Sequence, residues 1–259
     1  MDLRKIIILT YDFPPLNSVG GQRPYSWYKY FKKYNLYPII ITRNWTSNSK
    51  KLIHQKDNLG EIYYSYYKDN IRDKLHTKYG NTRFVFTRKF LSLIIQLSQY
   101  ITNALDPKYS IYKTAKMVIK KNKISFIIAT GEPFILFKYA HKLSKNFRIP
   151  WYADYRDDWI DNHTKQEDSI YQNLFKKYEN FFEQKYLSNV EGIISISDYI
   201  VVNIAKRVKA KKFIKIENGI DLTLIKSGKR ILNETEFNIV YTGILYNCNY
   251  IKVFSKGFK

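Results

Sequence analysis

Three carboxylates, a guanidinium and an indole lie within six consecutive positions of this sequence, Asp154-Tyr155-Arg156-Asp157-Asp158-Trp159, at the end of a predicted strand. An arginine among acids can hold a loop by ion pairs, and its planar fork can also bind a phosphate or a carboxylate. A carboxylate can bind sugar hydroxyls or act as a general base. The same residues also suit a structural salt-bridge loop with Trp159 filling the core, and the sequence leaves both interpretations open.

A second candidate lies near the N-terminus, where an unbroken apolar run at 6–9 is followed by Pro14-Pro15, Gly20-Gly21 and Arg23. The run is typical of a strand buried on both faces of a parallel sheet. The proline pair predicts a loop, and a helix is predicted to begin at about Arg23. Glycines permit a positive φ and a close backbone approach, so this loop predicts a site for an anion or a sugar hydroxyl. The alternative is an ordinary turn.

Other polar residues follow further predicted strands. Glu132 is predicted in the first turn of a helix, where it would either face the same cleft or stabilise the helix dipole. Ser197 is predicted as an N-cap and Asn218-Gly219 as a turn. The four histidines have no metal-binding spacing and Cys248 is the single cysteine. The sequence therefore predicts neither a metal site nor an internal disulfide.

The elements that must position these residues alternate between strand and helix. This alternation predicts a Rossmann-like, doubly wound parallel sheet, whose ligands bind beyond the carboxyl ends of the strands. The sequence has no Gly-x-Gly-x-x-Gly and no P-loop, which argues against nicotinamide and ATP binding. The predicted strands are 6–9, 37–42, 62–67, 125–130, 150–155, 192–196, 213–217 and 237–242, and the predicted helices are 24–34, 84–104, 111–121, 133–144, 169–187 and 198–208.

The 259-residue chain is strongly basic, with 44 Lys and Arg against 22 Asp and Glu and a formal charge of +22. This excess favours anionic partners such as phosphorylated substrates or the inner face of a membrane. The lysines are scattered and no nucleic-acid motif accompanies them, so we do not expect a nucleic-acid partner. The apolar stretch at 90–105 is interrupted by polar residues and predicts an amphipathic helix rather than a membrane span. We expect a cytoplasmic protein, either free or peripheral at the membrane.

Taken together, these residues resemble the N-terminal half of a GT-B-fold glycosyltransferase of the retaining family four. Each motif is weak alone, but their order and spacing fit over nearly the whole chain. The motifs are Tyr11-Asp12-Phe13-Pro14-Pro15 with Gly20-Gly21 and Arg23, then Asp154-Tyr155-Arg156-Asp157-Asp158-Trp159, Ser195-Ile196-Ser197, Ile216-Glu217-Asn218-Gly219-Ile220-Asp221, and Ile239-Val240-Tyr241-Thr242-Gly243.

The resemblance implies an acceptor-side domain at 1–222, then a linker and the first strand of an incomplete nucleotide-sugar-binding domain at 223–259. It implies metal-independent transfer, without a cofactor, from a nucleotide-sugar donor to a glycan or lipid-linked acceptor of surface polysaccharide synthesis, such as lipopolysaccharide or capsule. Gly20, Gly21 and Arg23 would lie against the donor diphosphate. The other substrate-binding candidates are Glu132, Asp154, Arg156 and Asp157, of which the three carboxylates are also the catalytic candidates.

The sequence departs from the family pattern in two ways. The position of Asp158 is often proline in the family, and the family's donor-site Arg/Lys pair and Glu-x7-Glu signature would lie further on than Lys259. We therefore expect a truncated form with little activity alone, and whether this chain is itself an enzyme stays open. The alternative is a non-catalytic basic module that binds anionic membrane lipid or a partner domain.

Overall fold

A computed structural model describes residues 3–46, 51–67, 69, 71–79, 85–103, 106–160, 170–220, 240, 251–252, 254 and 256–257. The predicted linker at 226–236 lies outside these residues, as does the predicted strand at 237–242 apart from Val240. The chain divides into two compact units. The first is formed by Met1–Asn162 with Asp168–Gly219, and the second by His163–Glu167 with Ile220–Lys259. The fold and the candidate site described below belong to the first unit.

The first unit is built on one eight-stranded sheet in the order β3-β4-β2-β1-β5-β6-β7-β8, in which only β3 runs antiparallel to its neighbour. This confirms the predicted doubly wound α/β class. The strands are β1 (Arg4–Leu9), β2 (Leu36–Arg43), β3 (Ile53–Lys56), β4 (Glu61–Ser65), β5 (Phe126–Thr130), β6 (Trp151–Tyr155), β7 (Gly192–Ser195) and β8 (Phe213–Lys215), and the helices are α1 (Val19–Tyr30), α2 (Ile71–Tyr79), α3 (Val85–Ile101), α4 (Tyr109–Lys121), α5 (Ile135–Phe147), α6 (Ile170–Leu187) and α7 (Asp198–Ala205).

The apolar run in β1 is buried because both faces of the sheet are covered. Ile6 and Ile8 pack on one face with Tyr28 of α1, whereas Ile7 and Leu9 pack on the other face in the core that α4, α5 and α6 share. Successive strand residues point to opposite faces, so a continuous apolar sequence is what a doubly covered strand requires.

The strand order reverses between β1 and β5, the two central neighbours. The chain leaves β1 through α1 toward β2 on one side, and it continues from β5 through β6 and β7 to β8 on the other side. In doubly wound sheets the crevice for ligands lies at the carboxyl ends of the two strands that flank such a reversal. The loops after β1 and β5 therefore form the edge of the sheet where a ligand is expected to bind.

Two features differ from the sequence prediction. The first helix begins at Val19 rather than at about Arg23, because the Ser18 side chain accepts a hydrogen bond from the Gly21 amide and caps the helix. Strand β3 and helix α2 were not predicted, since neither has a strong apolar repeat. None of the described helices is both long and apolar enough to cross a membrane.

Candidate functional site

The amino end of α1 is fixed to the loop that follows β1. Ser18 Oγ accepts from the Gly21 amide at 3.0 Å and donates to Asp12 Oδ2 at 2.9 Å. Asp12 is held in turn by its own backbone, whose carbonyl accepts from Thr10 Oγ1 at 2.9 Å. The predicted glycine loop is thus the first turn of a helix, and the free amides of that turn carry the positive end of the helix dipole.

Gly20 lies against two charged side chains. A Cβ atom built on Gly20 would lie 2.5 Å from Arg156 Nη1 and 2.9 Å from Asp12 Oδ2. At Gly21 the nearest atom to such a Cβ is Ser18 Oγ at 3.4 Å, which is close to an ordinary contact. Neither glycine has a positive φ, so this turn does not use the wider backbone range that glycine permits, and a side chain at Gly20 would have to displace the ends of the Arg156 and Asp12 side chains.

Arg156 connects the two loops of the strand reversal. Its Nε donates to the Gly131 carbonyl at 2.7 Å and its Nη2 to the Glu132 carbonyl at 3.4 Å, both in the loop after β5. Its Nη1 faces Gly20 in the first turn of α1. Within the described part of the chain no carboxylate forms an ion pair with this guanidinium. Its hydrogen-bond acceptors are neutral carbonyls, but two carboxylates lie near its charge. Arg156 acts against the rise in the pKa of Asp154, and Asp12 Oδ2 borders the same side of Gly20.

Arg23 and Asp154 form a buried ion pair at the same end of the sheet. Arg23 Nε and Nη2 each lie 3.0 Å from Asp154 Oδ1. Arg23 Nη1 donates to the carbonyls of Ile216 and Glu217 just after β8, at 2.9 and 3.2 Å. Arg23 is 8% exposed and Asp154 is fully buried. The pair thus ties α1 to β6 and to the segment after β8, and direct substrate contact, as predicted for both residues, would require them to become accessible.

Burial raises the pKa of the Asp154 carboxyl to about 6, while Arg23 beside it acts in the opposite direction. Among the described residues, Asp154 Oδ2 has no hydrogen-bond partner, so the charged form of this carboxyl is incompletely solvated. The carboxyl is therefore ionised at neutral pH and protonated in mild acid.

Asp158 and Trp159, at the end of the segment 154–159, belong to a different cluster. Arg207, just after α7, lies 2.7 Å from Asp158 Oδ1 through Nη2 and 2.9 Å from Glu183 Oε2 through Nε. Tyr155 donates to Glu183 Oε1 at 3.0 Å, and Trp159 is buried. Burial raises the pKa of Glu183 and of Tyr155, and the two carboxylates raise that of Arg207. This part of the segment matches the salt-bridge interpretation.

The remaining predicted site residues are placed unequally. Glu132 and Asp157 are exposed, in the loops that follow β5 and β6. Glu132 precedes α5, which begins at Ile135, so it does not lie in the first turn of a helix as predicted. Ser197 accepts from the Ile200 amide at 3.3 Å and caps α7, as predicted. Asn218 accepts from Arg23 Nη1 at 3.4 Å through its side chain.

Three residues that shape this edge, Asp12, Ser18 and Arg207, were not among the predicted site residues. Asp12 belongs to the motif at 11–15, but its contact with Ser18 six positions away was not expected. Ser18 carried a signal, since a serine before a glycine pair can cap a helix. Arg207 carried none, because the tertiary structure brings its partners to it. Among the described residues, no group of three or more His, Cys, Asp and Glu side chains is placed to hold a metal ion. The expectation of a reaction without metal or cofactor stays a prediction.

Comparisons with known proteins add the following. No protein-family model matches the sequence, and no curated protein matches it. A sucrose-phosphate synthase from Thermosynechococcus elongatus matches with a TM-score of 0.49 and 11% identity, covering 83% of this chain and 90% of that one. A UDP-glucose:anthocyanidin 3-O-glucosyltransferase in complex with UDP matches with a TM-score of 0.46 and 12% identity, covering 88% of this chain and 56% of that one.

An α,α-trehalose-phosphate synthase (UDP-forming) from Burkholderia vietnamiensis matches with a TM-score of 0.44 and 10% identity, covering 78% of this chain and 42% of that one. The chain thus spans about half the length of these last two proteins. At TM-scores below 0.5, these similarities do not assign an activity to this chain.

Proposed function

We propose that this chain forms the acceptor-side wall of a family-four-like glycosyltransferase, which transfers a sugar from a nucleotide-sugar to a glycan or lipid-linked acceptor. The observation that carries the proposal is Arg156, which hydrogen-bonds the loop after β5 through neutral carbonyls and places its guanidinium against Gly20 at the start of α1. A cation, a helix N-terminus and a glycine at one point suit the diphosphate of a nucleotide-sugar.

The chemistry of such a site follows from where charge develops. When the bond between sugar and diphosphate breaks, negative charge grows on the leaving diphosphate. Arg156 and the amides at the start of α1 would stabilise this charge without any reorganisation at the moment of reaction. The leaving diphosphate, held on the face of the sugar that it leaves, would take the proton of the acceptor hydroxyl. The oxygen of that hydroxyl would bond to the anomeric carbon from the same face, so the anomeric configuration is retained. A fixed guanidinium would supply the positive charge that a metal ion supplies in metal-dependent transfer.

The predicted carboxylates would divide their tasks by burial. The exposed Glu132 and Asp157 can hydrogen-bond the hydroxyls of the transferred sugar or the acceptor. The buried Asp154 and Arg23 would instead fix the distance between α1 and the end of β6, and so position Gly20 and Arg156. Of the three catalytic candidates, we retain Glu132 and Asp157 as groups that could touch substrate.

The acceptor belongs to surface polysaccharide synthesis in this proposal, in lipopolysaccharide or capsule. The support is the family resemblance together with the charge of +22, which suits an acceptor carried on an anionic lipid diphosphate. A purely non-catalytic lipid-binding module is not favoured, because it would give no reason for Arg156 and Gly20 to meet at the strand reversal.

Calorimetric titration of the chain with UDP, GDP, ADP and dTDP tests the diphosphate site, with uridine as the nucleoside lacking phosphate. We expect at least one diphosphate to bind and uridine to give no measurable heat. Arg156→Met should weaken binding about tenfold or more, since a charge-assisted hydrogen bond contributes about 1.5–3 kcal/mol. The charge-matched Lys33→Met, on an exposed residue after α1, should leave binding unchanged.

Diphosphate release from a panel of nucleotide-sugars, offered with glycan and lipid-linked acceptors, then measures how much transfer this chain carries out alone. We expect little, and robust turnover would contradict that expectation. The proposal is contradicted if Arg156→Met binds diphosphates as tightly as the wild type, or if none of the four nucleotides binds.

A further inference from the structure

The outer surface of α3 exposes a stripe of large apolar side chains. Phe86, Phe90, Leu93, Ile94 and Ile101 are 88, 63, 47, 38 and 70% exposed. On a helix with 3.6 residues per turn these positions fall within about 100° of one another, so they form one face. A contiguous exposed apolar face on a helix marks a docking surface.

Helix α6 continues this surface beside α3. The two helices pack together, since Tyr178 of α6 donates to the Leu97 carbonyl at 2.5 Å and Tyr100 stacks on Phe182 at 5.5 Å between ring centroids. The outer face of α6 then exposes Leu174 and Phe181, each 60% exposed, with Lys177 and Lys185 at helical spacing between and beyond them. Apolar and basic side chains thus alternate on this face.

A lysine-lined pocket of about 310 Å³ lies where α3, α5 and α6 meet. Ile101 at the end of the apolar stripe shares its wall with Lys142, Lys145 and Lys185. Lys138 lines it too, but its ammonium is taken up at the end of α3, where it donates to the carbonyls of Gln99 and Thr102. Among the described residues, no carboxylate forms an ion pair with the other three lysines, and Lys185 also lies over the rings of Phe181 and Phe182. Burial, together with repulsion from Lys185, lowers the pKa of Lys142.

No carboxylate on these helices offsets that charge. The sequences of α3 and α5 contain no Asp or Glu. The two acids of α6, Glu179 and Glu183, are 3% and 0% exposed, and they bind Trp159, Tyr155 and Arg207 on the inner side. The surface is therefore apolar and cationic, without exposed anionic groups on the three helices.

We propose that the surface formed by α3, the outer face of α6 and the lysine pocket docks onto an anionic phospholipid bilayer. The apolar side chains enter the boundary between headgroups and acyl chains, while Lys142, Lys145, Lys177 and Lys185 contact lipid phosphates. The commitment to a lipid surface follows from charge complementarity, because an apolar stripe bordered by lysines on two sides matches anionic headgroups over hydrocarbon. The inference goes beyond the proposed sugar transfer and does not depend on it.

Co-sedimentation of the full chain with vesicles tests this docking. The vesicles are pure phosphatidylcholine or a 70:30 mixture of phosphatidylcholine and phosphatidylglycerol. We expect the chain to pellet with the anionic vesicles and to stay largely in solution with the neutral ones. Raising the salt to 0.5 M should weaken binding, since the Debye length shortens to a few ångströms.

Two sets of substitutions locate the surface. Lys142→Glu with Lys145→Glu and Lys185→Glu should lower the partition coefficient about a hundredfold or more, because each lysine near an anionic surface contributes about fivefold. Phe86→Ser with Phe90→Ser should lower it about tenfold. The control variant carries the same change in charge on the opposite face of the sheet, as Lys29→Glu with Lys32→Glu and Lys33→Glu. Its partition coefficient should fall much less.

All these side chains are exposed or partly exposed, so circular dichroism should show unchanged folding. The proposal is overturned if the wild type does not pellet with anionic vesicles, or if the control loses as much binding as the pocket variant. It is also overturned if the chain stays in solution as a dimer that Phe86→Ser with Phe90→Ser dissociates, which sedimentation velocity would detect, because the surface then binds a second copy.

Discussion

Arg156 and Arg207 lie beside the same short loop, yet their charges are used in opposite ways. Arg207 is paired with two buried carboxylates, Asp158 and Glu183, so its charge is neutralised inside the fold. Arg156 is held by two backbone carbonyls and keeps its charge at the strand reversal beside Gly20. The difference teaches that the partner, rather than the arginine, decides whether a cation stabilises the structure or is available to a ligand.

The largest expected effect is the loss of stability when Arg207, the arginine with buried carboxylate partners, is replaced. Arg207→Met would leave Asp158 and Glu183 buried without their cation, and breaking such a buried pair lowers the free energy of unfolding by about 3–5 kcal/mol. Arg156→Met removes hydrogen bonds to neutral carbonyls only, and we expect a loss below about 2 kcal/mol. Urea unfolding of both variants measures the difference.

The control adds Asp158→Asn and Glu183→Gln to Arg207→Met. Removing the orphaned charges should restore part of the lost stability. Equal losses for Arg207→Met and Arg156→Met would show that the two arginines are equivalent, and the comparison would fail.

A smaller effect is expected in the pH dependence of the free energy of unfolding, to which the Asp154 carboxyl contributes. Its pKa is raised from 3.8 to about 6 in the folded chain, so between these values the folded state holds a proton that the unfolded state has released. The stability from this carboxyl is therefore full below about pH 4 and is lost as the pH rises through about 6. The unfolding free energy of the wild type minus that of Asp154→Asn should fall by about 2–3 kcal/mol between pH 4 and 6.5.

Urea unfolding across that pH range measures the difference and cancels the titration of other groups that both proteins share. A difference that stays constant, or that grows with pH, would contradict a raised pKa for Asp154.

Substitutions of Gly20 and Gly21 test whether the surroundings of Arg156 bind a diphosphate. Gly20→Ala places a methyl group where Arg156 Nη1 and the Asp12 carboxylate now lie. The end of a flexible arginine side chain can move, so we expect little change in stability but about a tenfold loss of diphosphate affinity. Gly21→Ala is the matched control, since its Cβ has room, and alanine is the better helix former by about 1 kcal/mol. Calorimetry with the diphosphate that binds best compares the two, and equal affinities would remove Gly20 from the site.

The smallest effect is expected at Asp157, which is exposed next to the buried Asp158. Asp157→Asn should change the free energy of unfolding by no more than about 0.5 kcal/mol, as is usual at the surface. Asp158→Asn should be clearly destabilising, because Asp158 pairs with Arg207 and accepts from the Ile160 amide at 2.9 Å. Thermal unfolding of the two variants separates adjacent residues of the same type, and a larger loss for Asp157→Asn would reverse their assignment.

Much of the fold could be predicted because its signals are local. The apolar runs in β1, β5 and β7 mark doubly covered strands, and all the predicted strands within the described residues are present to within two residues at each end. The antiparallel strand β3 gave no such signal. Its side chains are mostly exposed, and contacts such as His54 stacked on Tyr63, with ring centroids 4.1 Å apart, hold it to β4. The start of α1 was misplaced because a glycine pair weakens helix propensity, which the Ser18 cap outweighs.

By itself, the sequence determined the parallel sheet and brought its polar residues to the carboxyl ends of the strands, since apolar runs, glycines and prolines act over a few residues. Only the tertiary structure decided which charges are neutralised. Arg23 meets Asp154 across 131 positions of the chain, and Arg207 meets Asp158 across 49. An ion pair depends on distance in space and on burial, neither of which a local pattern encodes, and so the structure alone separates the paired Asp158 from the charge that Arg156 keeps.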